Sequence, residues 1–163
     1  MIRTFYNDKK ECTSGADAFY IITNAIIHNA KNQILLIKTN SDNHKDQLYL
    51  PGGFISHGEK MVDALNRIIK KTVGLNIEPL EVLGVYSDFD KDPNNHIISV
   101  VFICLILDYL SDAPEINSDG KEKFWISLDE FNKYCFLYDH RTIIEDYIKW
   151  RQNNSTFWTS KTR

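Results

Sequence analysis

The chain has 163 residues and a net charge of −3, with 43% hydrophobic and 25% charged residues. These values are typical of a soluble globular protein that is long enough to bury a substantial core. A general nucleic-acid binder would show a basic surplus. The longest apolar stretch, Ile97–Leu107, is shorter than the ~20 residues of a membrane span. We therefore expect neither direct nucleic-acid binding nor membrane insertion.

The three cysteines, Cys12, Cys104 and Cys135, are odd in number and widely spaced. They form no Cys-x-x-Cys pair of the kind that binds zinc or exchanges disulfides. Cys104 falls within an apolar run, which predicts a buried thiol. Free thiols and the lack of a secretory signal predict a cytoplasmic protein.

The first predicted elements are two strands. β-branched and aromatic residues over Ala18–His28 predict a strand. A turn at 29–32 leads to a second predicted strand, Gln33–Lys38, as the returning arm of a hairpin. After a polar loop, Leu48–Leu50 leads into Pro51-Gly52-Gly53.

A helix is predicted next. Ser56 and Glu59 have the spacing of a capping box, which predicts a helix start near Gly58. Gly74 suits the end of this helix. The apolar residues at helical spacing between them are Met61, Ala64, Leu65, Ile68, Ile69 and Val73.

Three more strands and two helices are predicted in the second half. Leu80–Tyr86 and Ile97–Leu107 are predicted strands joined by a turn-rich connection, and Glu122–Ile126 is a short last strand. A second capping-box pattern, Ser127–Glu130, opens a short helix. Asp139 then caps a final helix that extends through Trp150. The predicted inner face of that helix consists of Ile143, Ile144, Tyr147 and Ile148.

This order of elements predicts a single α/β domain. Early strands, a helix between strands and helices at the end indicate an α/β/α sandwich around a mixed β-sheet. We place the domain at 18–151, after a polar leader at 1–17 and before a polar tail at 152–163.

The segment Gly53–Leu75 resembles the Nudix box of the Nudix hydrolase superfamily. That box is a glycine, five residues, a glutamate, seven residues, then Arg-Glu-apolar-x-Glu-Glu-x-Gly-apolar. The three clustered glutamates of the box are replaced here by Ile68, Lys71 and Thr72. The matching positions are Gly53, Glu59, Arg67, Ile69, Gly74 and Leu75. The chain therefore resembles the superfamily, but its own box is degenerate.

Other segments are similar to the ADP-ribose-pyrophosphatase-like subgroup. Leu48–Phe54 looks like the usual entry into the box. Gly84–Phe102 resembles an Asp-Arg-Asp-Pro-Arg-Gly-His segment and the strand after it, with asparagines in place of the arginine and glycine. Trp125–Phe131 and Phe136–Ile144 look like the last strand and closing helix. The resemblance implies a Nudix-type α/β/α sandwich with a pocket for a nucleoside diphosphate linked to another moiety, such as ADP-ribose.

The resemblance implies Mg²⁺ as the cofactor of an active enzyme, because the box glutamates of the family hold magnesium ions that bridge the pyrophosphate oxygens. Ile68 cannot bind a metal, the Lys71 ammonium repels a cation, and Thr72 is a weak neutral ligand. Glu59 and Asp63 are the remaining metal candidates nearby. In the family, however, the residue at Glu59 mainly braces the loop, and Asp63 also suits a solvated surface. Metal-dependent hydrolysis is therefore predicted to be weak or lost.

The predicted ligand-binding residues are Gly52, Gly53, Arg67 and Lys71. Lys71 stands where a glutamate would normally hold magnesium, so its ammonium could contact a diphosphate directly. The alternative for Lys71 is a solvated cation near a helix C-terminus, where the macrodipole favours it. Arg67 also has a structural alternative, which is to hold the loop through Glu59.

The catalytic residues are not determined by the sequence, and Glu59 and His96 are the candidates. His96 also suits a structural role in a turn. His140 at a helix start and His57 in the box loop are further candidates, although His140 also suits packing or capping. The loop acids that could rebuild a metal site are Asp88, Asp90 and Asp92.

Two functions remain open. One is a Nudix-fold protein that binds a small-molecule nucleotide diphosphate without cutting it, acting through a partner or as a homodimer. The other is an active hydrolase of ADP-ribose or a nucleotide sugar that uses displaced metal ligands. The remaining alternative is a structural remnant without a ligand, which has neither function.

Overall fold

A computed structural model describes residues 19–40, 42–87, 96–107 and 122–158. The strands are β1 (Phe19–Ile27), β2 (Gln33–Lys38), β3 (Leu48–Tyr49), β4 (Gly52–Phe54), β5 (Ile77–Tyr86), β6 (His96–Ile106), β7 (Lys123–Ser127) and β8 (Phe157–Trp158). The helices are α1 (Met61–Val73) and α2 (His140–Asn153). The predicted leader with Cys12, and the loop acids Asp88, Asp90 and Asp92, lie outside the described residues.

The strands form two sheets. The larger sheet has five strands in the order β4-β1-β6-β5-β8, and the smaller has three in the order β3-β2-β7. In the larger sheet β1 is parallel to β6 and β5 is parallel to β8, while β4 and β5 run antiparallel to β1 and β6. The predicted mixed sheet is confirmed, although part of the strand set separates into the smaller antiparallel sheet.

The two helices lie on opposite faces of the larger sheet. Successive side chains of a strand point to opposite faces. On β1, Ala25 and Ile27 belong to the hydrophobic cluster that contains Leu65 of α1, whereas Ile26 belongs to the cluster that contains Ile144 of α2. The predicted α/β/α layering is therefore confirmed.

The predicted hairpin between the first two strands is confirmed only at its turn, where the Asn29 N–H donates to the Gln33 carbonyl at 3.0 Å. One isolated bridge, His28 to Ile34, joins the two chain segments, after which β1 and β2 enter different sheets. The reason is that β1 already pairs with β4 on one side and β6 on the other, and β2 pairs with β3 and β7. Beyond the turn, the two strands therefore continue in different sheets.

Helix α1 begins at Met61, three residues later than the capping-box spacing predicts. The Glu59 carboxylate accepts a hydrogen bond from the Ser56 backbone N–H at 3.0 Å, and the Glu59 N–H donates to the Ser56 carbonyl at 3.1 Å. These bonds close a turn ahead of the helix. The predicted end is confirmed, because Gly74 has a φ of 77° and its N–H bonds to carbonyls of the last turn.

The C-terminal half differs from prediction in three places. The short helix predicted after Ser127–Glu130 is a single 3₁₀ turn at Phe131–Lys133. Helix α2 starts after Asp139 as predicted, but the Asp139 side chain makes no capping hydrogen bond. Beyond α2, strand β8 pairs in parallel with Gly84 and Val85 of β5, so the segment predicted as a polar tail adds an edge strand.

Cys104 is fully buried, as predicted, and Cys135 is exposed. Burial raises the pKa of the Cys104 thiol to about 12. Within the described ranges, neither α1 nor α2 has the length and hydropathy needed to cross a membrane.

Candidate functional site

A cavity of about 170 Å³ lies beside β1, β4 and β6 and is bounded on another side by residues 137–140, which lead into the first residue of α2. Its walls are mainly apolar. The aliphatic lining residues are Ile22, Leu50, Ile97 and Leu137. A concave, mostly apolar pocket with a few polar groups is the usual form of a small-molecule site.

Gly52 and Gly53, both predicted to bind ligand, line this cavity on β4. Gly52 lies opposite Asn24 in the β1–β4 ladder. A Cβ atom at Gly52 would lie 2.2 Å from Asn24 Nδ2 and 2.4 Å from the Thr23 carbonyl oxygen. Glycine at position 52 therefore permits the close approach of β4 to β1 and leaves room for the Asn24 amide.

Two exposed aromatic residues, Phe54 and Tyr138, line the cavity at its rim. The Phe54 ring meets Tyr20 edge-on at 5.8 Å, and the Tyr138 ring meets His44 edge-on at 5.6 Å. Tyr138 has a φ of 49°, a left-handed conformation that is uncommon for a bulky residue. Backbone strain of this kind clusters at ligand sites.

Of the candidate histidines, His140 is the one that lines the cavity. It is buried at the start of α2, and its Nδ1 accepts a hydrogen bond from the Leu50 N–H at 3.3 Å. A neutral imidazole that accepts at Nδ1 carries its proton on Nε2. His96 Nε2 instead lies 3.2 Å from the Ser87 carbonyl oxygen at the base of β6, consistent with the turn role. His57 is exposed in the box loop.

Arg67 of α1 holds Glu59 by two hydrogen bonds. Nε and Nη2 donate to the two carboxylate oxygens of Glu59, each at 2.7 Å, and Nη2 also donates to the Phe54 carbonyl at 3.3 Å. These bonds tie the loop after β4 to α1. The Arg67 guanidinium first, and then the Ser56 backbone N–H, lower the pKa of Glu59 to about 2.

The three replaced box positions lie on one face of α1, since residues three and four apart on a helix are neighbours. Ile68 is buried, and its side-chain carbons lie 3.5 Å from where a Gly53 Cβ would be. The Thr72 hydroxyl donates to the Ile68 carbonyl at 2.8 Å. Lys71 is exposed. This face therefore adjoins the Gly53 wall of the cavity through Ile68, and its other two side chains are a cation and a hydroxyl.

The donors at these positions do not fit a magnesium ion, which prefers carboxylate oxygens in octahedral geometry. Ile68, Lys71 and Thr72 supply no carboxylate, and Glu59 shares both its oxygens with Arg67. Asp63 is exposed in the first turn of α1, whereas Glu59 precedes the helix, so helical spacing does not relate the two acids. Among the described residues, no group of three or more His, Cys, Asp or Glu could hold a metal.

The structure separates the predicted site residues into two groups. Gly52 and Gly53 line the cavity, whereas Arg67 and Lys71 lie on α1 and are not among its lining residues. The contact between Gly53 and Ile68 connects the two groups. Sequence reasoning missed the cavity residue Asn24, although a lone amide within the apolar run of β1 is a visible signal. It also missed Tyr138, whose backbone conformation leaves no sign in the residue type.

A family model described as the NUDIX domain matches residues 20–147 of the chain. An ADP-ribose pyrophosphatase from Methanocaldococcus jannaschii is 41% identical over 120 residues, which make up 74% of this chain and 68% of that protein.

Solved structures share the fold. A NUDIX hydrolase from Nitrosomonas europaea has a TM-score of 0.69 at 19% identity, covering 95% of this chain and 84% of that chain. An ADP-ribose pyrophosphatase from Streptococcus suis has a TM-score of 0.62 at 22% identity, covering 86% of this chain and 96% of that chain. At these identities the likeness concerns the fold alone.

Proposed function

This chain belongs to the Nudix family, and from that premise we propose that it binds a nucleoside diphosphate linked to another moiety, of the ADP-ribose type. We further propose that metal-dependent hydrolysis of the diphosphate is weak or lost. The ligand class is supported by the 41% identity to a protein named ADP-ribose pyrophosphatase. The weakness or loss of metal-dependent hydrolysis is supported by one observation. The α1 face that adjoins the cavity wall carries Ile68, Lys71 and Thr72, none of which is a carboxylate.

That face offers a phosphate contact in place of metal ligands. Lys71 projects from the same face of α1 as Ile68, which touches the Gly53 wall of the cavity. A lysine ammonium binds phosphate oxygens as a point charge. The charge of Arg67 is matched by Glu59 in a bidentate pair, so Lys71 adds a positive charge that this pair does not offset.

The size of the cavity indicates how such a ligand would lie. About 170 Å³ is well below the ~300–1,000 Å³ of pockets for drug-sized ligands, so the cavity suits one ring system. The diphosphate would then leave the cavity along Gly53, where the lack of a side chain permits close approach, and extend towards Lys71.

Binding experiments test this proposal. We expect ADP-ribose to bind, measured by isothermal titration calorimetry, with the same affinity in magnesium and in excess chelator. Lys71→Met should weaken binding roughly tenfold or more, since a hydrogen bond to a charged group contributes ~1.5–3 kcal/mol. Lys70→Met is the matched control, because Lys70 is an adjacent exposed lysine on the same helix. Affinity that disappears on chelation, or that is absent under both conditions, would contradict the proposal.

The alternative is an active hydrolase of ADP-ribose or a nucleotide sugar with displaced metal ligands, and the similarity to a pyrophosphatase favours it. Release of AMP from ADP-ribose with magnesium or manganese separates the two functions. Turnover at ordinary enzyme rates, ~1–10³ s⁻¹, would establish the alternative. Binding without turnover supports the proposed function. Hydrolysis gained by the triple variant Ile68→Glu, Lys71→Glu, Thr72→Glu would show that the pocket is competent and that the metal ligands alone are missing.

A further inference from the structure

Asn24 is a buried amide in the wall of the cavity. It is 4% exposed and lies on β1 among apolar neighbours. Its Nδ2 donates to the Leu50 carbonyl at 3.5 Å. Its Oδ1 is buried and has no hydrogen-bond partner in the described part of the chain. A buried acceptor left in this state costs about 1–3 kcal/mol, so it requires an explanation.

The orientation of this amide is fixed from two sides. The Leu50 carbonyl accepts hydrogen bonds but cannot donate, so the nitrogen of Asn24 must face it and the oxygen must face away. On the other side, Gly52 leaves the space that the amide occupies, since a Cβ there would lie 2.8 Å from Asn24 Cγ. The acceptor is therefore held in place before any ligand binds.

The surroundings of Asn24 suit a flat aromatic ligand. Aliphatic side chains of Ile22 and Ile97 line the cavity, and the exposed rings of Phe54 and Tyr138 stand at its rim. Aromatic side chains stack on nucleobases because every base has a π-face. A mainly apolar slot with an oriented amide in its wall suits the recognition of a base by its polar edge.

We propose that Asn24 reads the amino group of a purine base and selects adenine over a 6-oxo purine. This inference rests on the proposed function, because it assigns the cavity to the base of the nucleotide. Asn Oδ1 accepts from the N6 amino group of adenine, while the second Nδ2 hydrogen donates to the ring nitrogen N7. In hypoxanthine the amino group is replaced by a carbonyl oxygen, which would place two acceptors opposite each other.

The test compares ADP with IDP, whose bases differ at this edge. Calorimetry on the wild-type chain in the presence of chelator should give an affinity for ADP roughly tenfold or more above that for IDP. Adenosine and inosine form a second pair without phosphate, measured by ligand-observed NMR. Asn24→Leu should abolish the preference in both pairs.

Thr23→Val is the matched control for Asn24→Leu. Thr23 is the preceding residue on β1, is fully buried, and has a hydroxyl oxygen without a hydrogen-bond partner among the residues described. It faces the opposite side of the sheet and does not line the cavity. The control should keep the ADP preference, whereas a general effect of losing a buried polar atom would remove it in both variants.

The outcomes distinguish this inference from the proposed function. Equal affinity of the wild-type chain for ADP and IDP would overturn the proposal that Asn24 selects adenine. It would leave the proposed diphosphate binding unaffected. A preference for adenosine over inosine, with no gain in affinity from adenosine to ADP, supports the inference and counts against the proposed function. No binding of any of the four compounds overturns both. The wild-type comparison does not depend on the folding of any variant.

Discussion

Replacing Gly52 by alanine should be far more damaging than replacing its neighbour Gly53. At position 52 the new methyl carbon would lie 2.2 Å from Asn24 Nδ2 and 2.4 Å from the Thr23 carbonyl oxygen. The second of these is a backbone atom of β1, so it cannot move without disturbing the β1–β4 ladder. At position 53 the nearest atom is a side-chain carbon of Ile68 at 3.5 Å, which is ordinary van der Waals contact.

The expected magnitudes follow from these contacts. Overpacking of a tight site costs about 1–3 kcal/mol, and alanine returns about 0.5–1 kcal/mol by restricting the unfolded chain. For a chain of this size each kcal/mol shifts the melting temperature by about 2–4 °C. We therefore expect a net cost of up to about 2.5 kcal/mol for Gly52→Ala and a melting temperature lower by up to roughly 10 °C. Gly53→Ala should leave the free energy of unfolding within about 0.5 kcal/mol of wild type.

Thermal and urea denaturation, followed by circular dichroism, measure both variants against the wild-type chain. Gly52→Ala should also lose the ADP-over-IDP preference, because the methyl group displaces the Asn24 amide. The steric reasoning fails if Gly52→Ala is as stable as wild type, or if Gly53→Ala is the more destabilised of the two.

Three further outcomes are expected. Because Arg67 depresses the pKa of Glu59 to about 2, their pairing stabilises the fold fully above pH 4.5, and this contribution is lost as pH falls from 4.5 towards 2. Urea midpoints of wild type and Arg67→Met should therefore converge over that range, and parallel curves would contradict this. Tyr138→Gly should be more stable than Tyr138→Ala by about 1 kcal/mol in urea, since glycine relieves the positive φ. In Gly84→Ala the new methyl carbon would lie 2.2 Å from the Phe157 carbonyl oxygen, so hydrogen exchange at Phe157 should accelerate; unchanged protection would show that β8 does not depend on this contact.

Elements whose signal is local were predictable from the sequence. The apolar spacing of α1 and the glycine at position 74 determine a face and an end within one helix, and both are confirmed. The start of α1 was placed too early because the Ser56–Glu59 spacing serves a turn as well as a capping box. Local spacing cannot distinguish the two, since both use the same carboxylate-to-backbone hydrogen bond.

Strand partners and the cavity depend on contacts between distant parts of the chain. The sequence of β1 and β2 predicts two strands but not which neighbours they pair with, because both strands are buried over several consecutive residues. In the same way, Asn24 and His140 meet at the cavity through their separate hydrogen bonds to Leu50. The box is a linear motif and could be recognised residue by residue, whereas the cavity wall assembles only in the folded chain.

The hydrogen bonds that hold the cavity walls do not involve the side chains at positions 68, 71 and 72. The loop after β4 is held by the bidentate pair of Arg67 and Glu59 and by the bond from Arg67 to the Phe54 carbonyl. The opposite wall is held where His140 accepts from Leu50. Each restraint consists of protein groups only, and each is satisfied with isoleucine at position 68. The side chains at the box glutamate positions can therefore change while the shape of this pocket is kept. A protein that binds a diphosphate ligand without hydrolysing it requires this separation of pocket shape from metal ligands.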